Sequence, residues 1–154
     1  MDKTFYDVVA VGNAIVDVLA KVGDGFLTER NLHKGGMVLV EAADAGKIYA
    51  DLITEREVSG GSAANTVAAL ASLGGTPAFI GKIHYVTLGQ IFHRDINAAG
   101  IDSFTDPLEH RSAPGRSIIL FSPDAGNSMF TDLTSSKKLL AVAHTHLILT
   151  TYKI

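Results

Sequence analysis

Asn13 and Asp17 stand four residues apart in Gly12-Asn13-Ala14-Ile15-Val16-Asp17, directly after a short apolar run. In an extended segment, positions an even number apart share a face. An amide that donates and accepts, beside a carboxylate that takes two hydroxyl hydrogens at once, has the chemistry to hold a vicinal diol. The same residues also serve as a turn-stabilising Asn13 and a solvated Asp17. A second grouping is Ser59-Gly60-Gly61-Ser62-Ala63-Ala64-Asn65. Its glycines let a ligand approach the backbone closely, and a helix opening there leaves free N–H groups suited to oxygen-rich or anionic ligands. The glycine spacing is not that of a dinucleotide fingerprint, and no lysine-ended phosphate loop occurs. A Gly-Gly pair before an alanine-rich helix equally serves tight packing. The third grouping is a hairpin over 116–133, with Arg116 at its start and Asn127 past its turn; such hairpins are ordinarily structural, and Arg116 reads as a solvated charge. His144 and His146 share a strand face, but no acidic residue or third histidine stands nearby to complete a metal site. No residue is assigned to a metal.

These groups need elements to hold them. Tyr6 to Val11 reads as a buried strand ended by Gly12, and Ile15 to Val22 as a second, closed by Gly23-Asp24-Gly25. A short helix is predicted over 26–31, a strand over 37–40 and a helix over 42–52, with Ala45, Ile48, Tyr49 and Leu52 at helical spacing. The small-residue helix 63–73 follows Gly60-Gly61-Ser62, and Gly74-Gly75 ends it. A strand at 78–80 and a helix over 87–99, ended by Gly100, come next. The hairpin 116–121 and 128–133 turns at Pro123-Asp124-Ala125-Gly126. A short helix over 137–143 and a buried strand over 146–150 close the chain. Alternating strands and helices predict an α/β fold with a mainly parallel sheet. The extended pieces at 15–22, 37–40 and 116–133 break the alternation and are expected to form a small β lid.

The chain has 154 residues, of which 47% are hydrophobic and 19% charged, so disorder and collagen-like repeats are excluded. It has no cysteine, hence no disulfide framework, thiolate zinc site or thiol nucleophile. A net charge of -3 argues against nucleic acid as a partner. The uncharged stretch 58–81 is broken by Gly60, Gly61, Ser62, Asn65, Ser72, Gly74, Gly75 and Pro77, which argues against a membrane span. The first seven residues lack a basic segment followed by an apolar one, so a cytoplasmic location is expected.

In this order, the groupings resemble the N-terminal half of the ribokinase or PfkB-type carbohydrate and purine kinases, closest to their bacterial adenosine-kinase-like branch. The strings that carry the resemblance are Val9 to Asp17, Ser59 to Thr66, Leu73-Gly74-Gly75, Leu88-Gly89-Gln90-Ile91-Phe92, Ala99-Gly100-Ile101, Arg116 to Leu120 and Ser122-Pro123-Asp124. The resemblance implies a partial Rossmann-like, ribokinase-type fold with a β lid over the acceptor. It implies that residues 1–154 form the acceptor-binding half of a sugar or nucleoside kinase domain. Asn13 and Asp17 would hold sugar hydroxyls. Gly60, Gly61, Ser62 and Asn65 would meet the same ring from the helix start, and Met37, Leu39, Met129 and Leu133 would line the acceptor pocket. ATP and Mg²⁺ serve the full-length family; its ATP-binding half and catalytic base are expected beyond residue 154. This chain by itself is therefore expected neither to bind ATP well nor to phosphorylate at a useful rate. The expected partner is a small sugar or nucleoside, with pairing of lid strands as a route to a homodimer. An interaction domain without catalysis, derived from the same family, is the alternative. Departures from the family pattern are His84-Tyr85-Val86 where Gly-x-Asp is usual, Asn127 where arginine is usual, Thr134-Ser135 where Gly-Ala is usual, and Thr150-Thr151-Tyr152 where the last strand runs into Gly-Tyr. Loss of the arginine weakens any phosphate contact from the lid.

Overall fold

A computed structural model describes residues 5–83, 87–107, 115–124 and 126–133. The strand β1 (Val8–Val11) pairs in parallel with β5 (Pro77–Ile83), which pairs in parallel with β6 (Asp102–Pro107). Helix α3 (Ser62–Ser72) packs on β1 and β5. Gly12 makes that approach close, because a Cβ there would stand 2.6 Å from the Ala63 Cβ.

A second sheet has the order β3-β8-β7-β2-β4. Its strands are β2 (Ile15–Lys21), β3 (Gly36–Leu39), β4 (Arg56–Gly60), β7 (Gly115–Phe121) and β8 (Asn127–Asp132). β2 runs parallel to β7 and antiparallel to β4, placing Asp17 between Ser117 and Val58. Along β2 the side chains of Val16, Val18 and Ala20 are buried, while Ile15, Asp17 and Leu19 are half-buried on the other face. The buried face is covered by α2 (Ala42–Ala50), which packs on β7 and β8, and by α4 (Thr87–Ala98), which packs on β4 and β2. Ala45, Ile48, Leu88, Phe92 and Ile96 supply the helical side of this core. Phe92 continues it to Phe79 of β5, with ring centroids 5.4 Å apart. The remaining helix, α1 (Asp24–Glu29), lies between β2 and β3 in sequence.

The fold is the expected α/β arrangement with a parallel sheet, but the second sheet is broader than three lid pieces. β4 joins it although Arg56 and Glu57 make its start look like a polar loop; Glu57 projects to the covered face, where the Tyr49 hydroxyl donates to it at 2.6 Å. β6 also escapes the pattern, because Asp102, Ser103, Thr105 and Asp106 leave Phe104 as its sole large apolar residue. Helix α1 begins and ends two residues earlier than predicted, and β5 extends past Ile80 to Ile83. The predicted helix 137–143 and strand 146–150, with His144 and His146, lie outside the described residues.

Tyr6 ties the chain start to β6: its hydroxyl donates to the Asp102 carboxylate at 2.6 Å and its ring meets Phe104 edge-on at 6.0 Å. Burial, and then the hydrogen bond and charge of Asp102, push the Tyr6 hydroxyl up to about 12. Tyr6→Phe keeps the ring contact and loses the exposed hydrogen bond, so we expect a cost of no more than about 1 kcal/mol. Thermal unfolding checks the size, and ultraviolet titration should lose the tyrosine that ionises at about 12.

Candidate functional site

The outer face of the β2–β7–β8 sheet and the start of α3 enclose a concavity of about 280 Å³. Ile15, Asp17, Met37, Gly61, Ser62, Asn65, Ser117, Met129 and Thr131 line it. Asp17 is its one ionisable group among the described residues. Burial alone raises the Asp17 carboxyl above the usual carboxylate value. Among the described residues no hydrogen bond or cation reaches that carboxylate. Gly60 makes room for it, since a side chain there would collide with Asp17 Cγ and both carboxylate oxygens. Cross-strand pairing explains the meeting: Ile15 faces Gly60 and Asp17 faces Val58, so the Asp17 carboxylate leans back over the glycine.

Gly61 turns the chain from β4 into α3 at φ 95°, a conformation that favours glycine. It offers no side chain to cap the helix. The first hydrogen bond of the helix is from Asn65 N–H to the Gly61 carbonyl at 2.9 Å, so the N–H groups of Ser62, Ala63 and Ala64 have no partner within the helix. Ser62 and Asn65 are three apart and lie on one helix face beside those donors. On the opposite wall Ser117 and Thr131 face each other across β7 and β8, their hydroxyls 3.0 Å apart. Met37 and Met129 are also register partners and supply an adaptable apolar surface. The site thus joins a carboxylate acceptor, free helix donors, a hydroxyl pair and two thioethers. Such a set suits a hydroxylated ring with an apolar body.

Asp17, Gly61, Ser62, Asn65, Met37 and Met129 meet in this one concavity, and Gly60 lies beneath Asp17. Asn13, Leu39 and Leu133 do not line it. Asn13 precedes β2, and its backbone carbonyl stands 3.1 Å from where a Gly61 Cβ would lie. Leu39 is 60% exposed at the end of the edge strand β3, and Leu133 follows the end of β8. Ile15, Ser117 and Thr131 were absent from the sequence-based set. The signal for the last two was present in the hairpin, where each small polar residue alternates with a large apolar one, Ile118 or Phe130. Arg116 is not a solvated charge: it is 8% exposed, on the covered face of β7. The expected turn at 123–126 brings Ser122 Oγ to Asp124 at 2.7 Å and Lys34 Nζ to the same carboxylate at 2.7 Å. The Lys34 ammonium, and then the Ser122 hydroxyl, hold the Asp124 carboxyl below its usual range. No group of three or more His, Asp or Glu among the described residues is arranged to hold a metal ion. No helix among them is long and apolar enough to cross a membrane.

No protein-family model matches the chain, and no curated protein matches it. Solved structures do. An adenosine kinase from Sinorhizobium meliloti is 43% identical, with a TM-score of 0.77, over 88% of this chain and 42% of that one. A probable sugar kinase from Rhizobium etli CFN 42 is 38% identical, with a TM-score of 0.76, over 90% of this chain and 42% of that one. The adenosine kinase from Schistosoma mansoni in complex with adenosine shares the fold at a TM-score of 0.79 and 19% identity, over 97% of this chain and 44% of that one. The chain therefore spans less than half the length of each of these proteins.

Proposed function

We propose that this chain, similar in sequence and fold to the N-terminal portion of ribokinase/PfkB-type kinases, forms the acceptor-binding part of a sugar or nucleoside kinase, with adenosine its favoured acceptor. The observation that carries this reading is Asp17, a half-buried carboxylate without a partner among the described residues, seated over Gly60 and beside the start of α3. A carboxylate left unsatisfied inside a pocket is costly unless a ligand completes it. Two adjacent ring hydroxyls donate to its two oxygens. Asn65 and Ser62 then meet the same ring with side chains that donate and accept, and the free N–H groups of α3 favour oxygen atoms beside them. Met37, Met129 and Ile15 cover the apolar face of the bound molecule.

The reaction of such a kinase transfers a phosphoryl group from ATP to an acceptor hydroxyl with Mg²⁺ neutralising charge. The described residues do not fit that donor group: they hold no acidic cluster for a metal ion, and exposed Asn127 rather than a cation follows the hairpin turn. Their part is to bind and orient the acceptor. A cytoplasmic site of action goes with this reading.

Calorimetry of the chain with adenosine and with ribose tests it. Saturable binding of adenosine at micromolar to millimolar concentration is expected, with weaker binding of ribose and no turnover when ATP and Mg²⁺ are added. Absence of binding to both ligands at several millimolar, together with a stable dimer in sedimentation, would instead favour an interaction domain, whose edge is β3 with Met37, Val38 and Leu39 exposed.

A further inference from the structure

Beneath the site, on the covered face of the same sheet, lies a polar cluster of residues outside the concavity's lining. Arg116 is 8% exposed, and its Nε has no hydrogen-bond partner among the described residues. Its guanidinium stands 5.4 Å over the ring of Tyr49 from α2. The Tyr49 hydroxyl in turn donates to Glu57 of β4 at 2.6 Å. Register shows what this chain of contacts spans. Arg116 is paired with Val16, and Glu57 with Val18. Tyr49 therefore bridges from β7 to β4 across the back of β2, and the residue between Val16 and Val18, pointing the other way, is Asp17.

A cation over an aromatic face and a hydrogen bond to a carboxylate are both strengthened away from water. A buried charge that lacks a full set of partners is expensive, and apolar residues of similar volume would pack there at less cost. We propose that Arg116, Tyr49 and Glu57 form a cross-bar of positioning residues. It fixes the spacing of β7, β2 and β4, and so holds Ser117, Asp17 and the Gly60–Gly61 turn at one separation for the acceptor. The identity of that acceptor rests on the function proposed above; the cross-bar itself does not. Asp132, fully buried, is the register partner of Arg116 on β8.

Tyr49→Phe is the least disruptive test, because it keeps the ring under the guanidinium and deletes only the hydroxyl. Amide hydrogen exchange is read first on the ligand-free protein. We expect exchange in β2 and β4 to quicken about tenfold, the equivalent of one hydrogen bond to a charged group, with β1 and β5 unchanged. Glu57→Gln with Tyr49 intact, which keeps an acceptor for the hydroxyl, should by contrast retain most of the protection. Calorimetry should then show adenosine affinity falling about fivefold in Tyr49→Phe, a usual size for a residue acting through others. In an Asp17→Asn background the same change should cost less than twofold, because the group being positioned is gone. Unchanged exchange in β2 and β4, or equal quickening in every strand, overturns the cross-bar. If the unaltered chain binds neither adenosine nor ribose, the acceptor reading falls, and the exchange pattern still decides the cross-bar.

Discussion

Asp17→Asn should raise the thermal midpoint of the ligand-free chain at pH 7 and weaken its affinity for adenosine about thirtyfold, two effects of opposite sign from one substitution. The stability effect follows from burial. The folded chain holds the Asp17 carboxyl above its ordinary value of 3.8, so it binds that proton more tightly than the unfolded chain does. The contribution to stability is therefore most favourable below about pH 3.8 and is lost as pH rises through the folded value. At pH 7 the carboxylate is ionised, half-buried and without a partner among the described residues, which is a cost that an amide of the same shape reduces. The midpoints of the two proteins should accordingly converge as pH is lowered towards 4. Affinity moves the other way because the ligand supplies what the protein withholds. One charge-assisted hydrogen bond becomes a neutral one and the other must reverse, because the amide NH2 donates where the carboxylate oxygen accepted; a loss of roughly 1 kcal/mol at each amounts to about thirtyfold. Differential scanning calorimetry across pH, with titration calorimetry at pH 7, measures both. A carboxylate with only a structural role would give a variant less stable than the parent at pH 7, and that outcome contradicts the site.

That opposition also shows which parts of the molecule were legible from residue order. Helices α3 and α4 were, because Ala64, Val67, Leu88, Phe92 and Ile96 recur at helical spacing and a glycine, Gly74 or Gly100, follows each. So was β2, where Val16, Val18 and Ala20 alternate with less buried neighbours. The strands β4 and β6 were not, because each is stabilised by pairing and by partners remote in sequence. Glu57 in β4 is satisfied by Tyr49, the Ser59 N–H donates to Asp95 of α4 at 2.8 Å, and Asp102 in β6 receives Tyr6. Local patterning has no means to register such partners. The site divides the same way. Ser62 directly follows the Gly60-Gly61 pair and Asn65 stands three residues further on, while Asp17 is the lone charge in the apolar run 14–20. Ser117 and Thr131 reach the concavity through the β7–β8 register, and Arg116 is drawn beneath it by a ring in α2. Asn13 lies two residues before β2 begins at Ile15, so strand alternation by itself does not set which way it faces.

Gly60→Ala should damage the site as much as losing Asp17 does, although residue 60 itself offers a ligand nothing. A methyl group at this position overlaps Asp17 Cγ and both carboxylate oxygens, so one of the two must move. Gly60 is buried in register with Ile15, where the pairing of β2 and β4 restrains the backbone, so the carboxylate is the part that swings away. We expect a loss of about 1–3 kcal/mol in stability, the usual cost of overpacking. Affinity for adenosine should fall at least about tenfold, since charge-assisted bonds depend steeply on geometry. The two substitutions together separate this account from a backbone effect of the glycine. In Asp17→Ala the obstructing carboxylate is gone and the new methyl enters vacated space. Gly60→Ala should then cost little further stability, giving a coupling of about 1 kcal/mol or more in the double-mutant cycle. Additive losses would place the strain in the β4 backbone instead. An unaltered adenosine affinity in Gly60→Ala would mean that the carboxylate over Gly60 is not the group that meets the ligand.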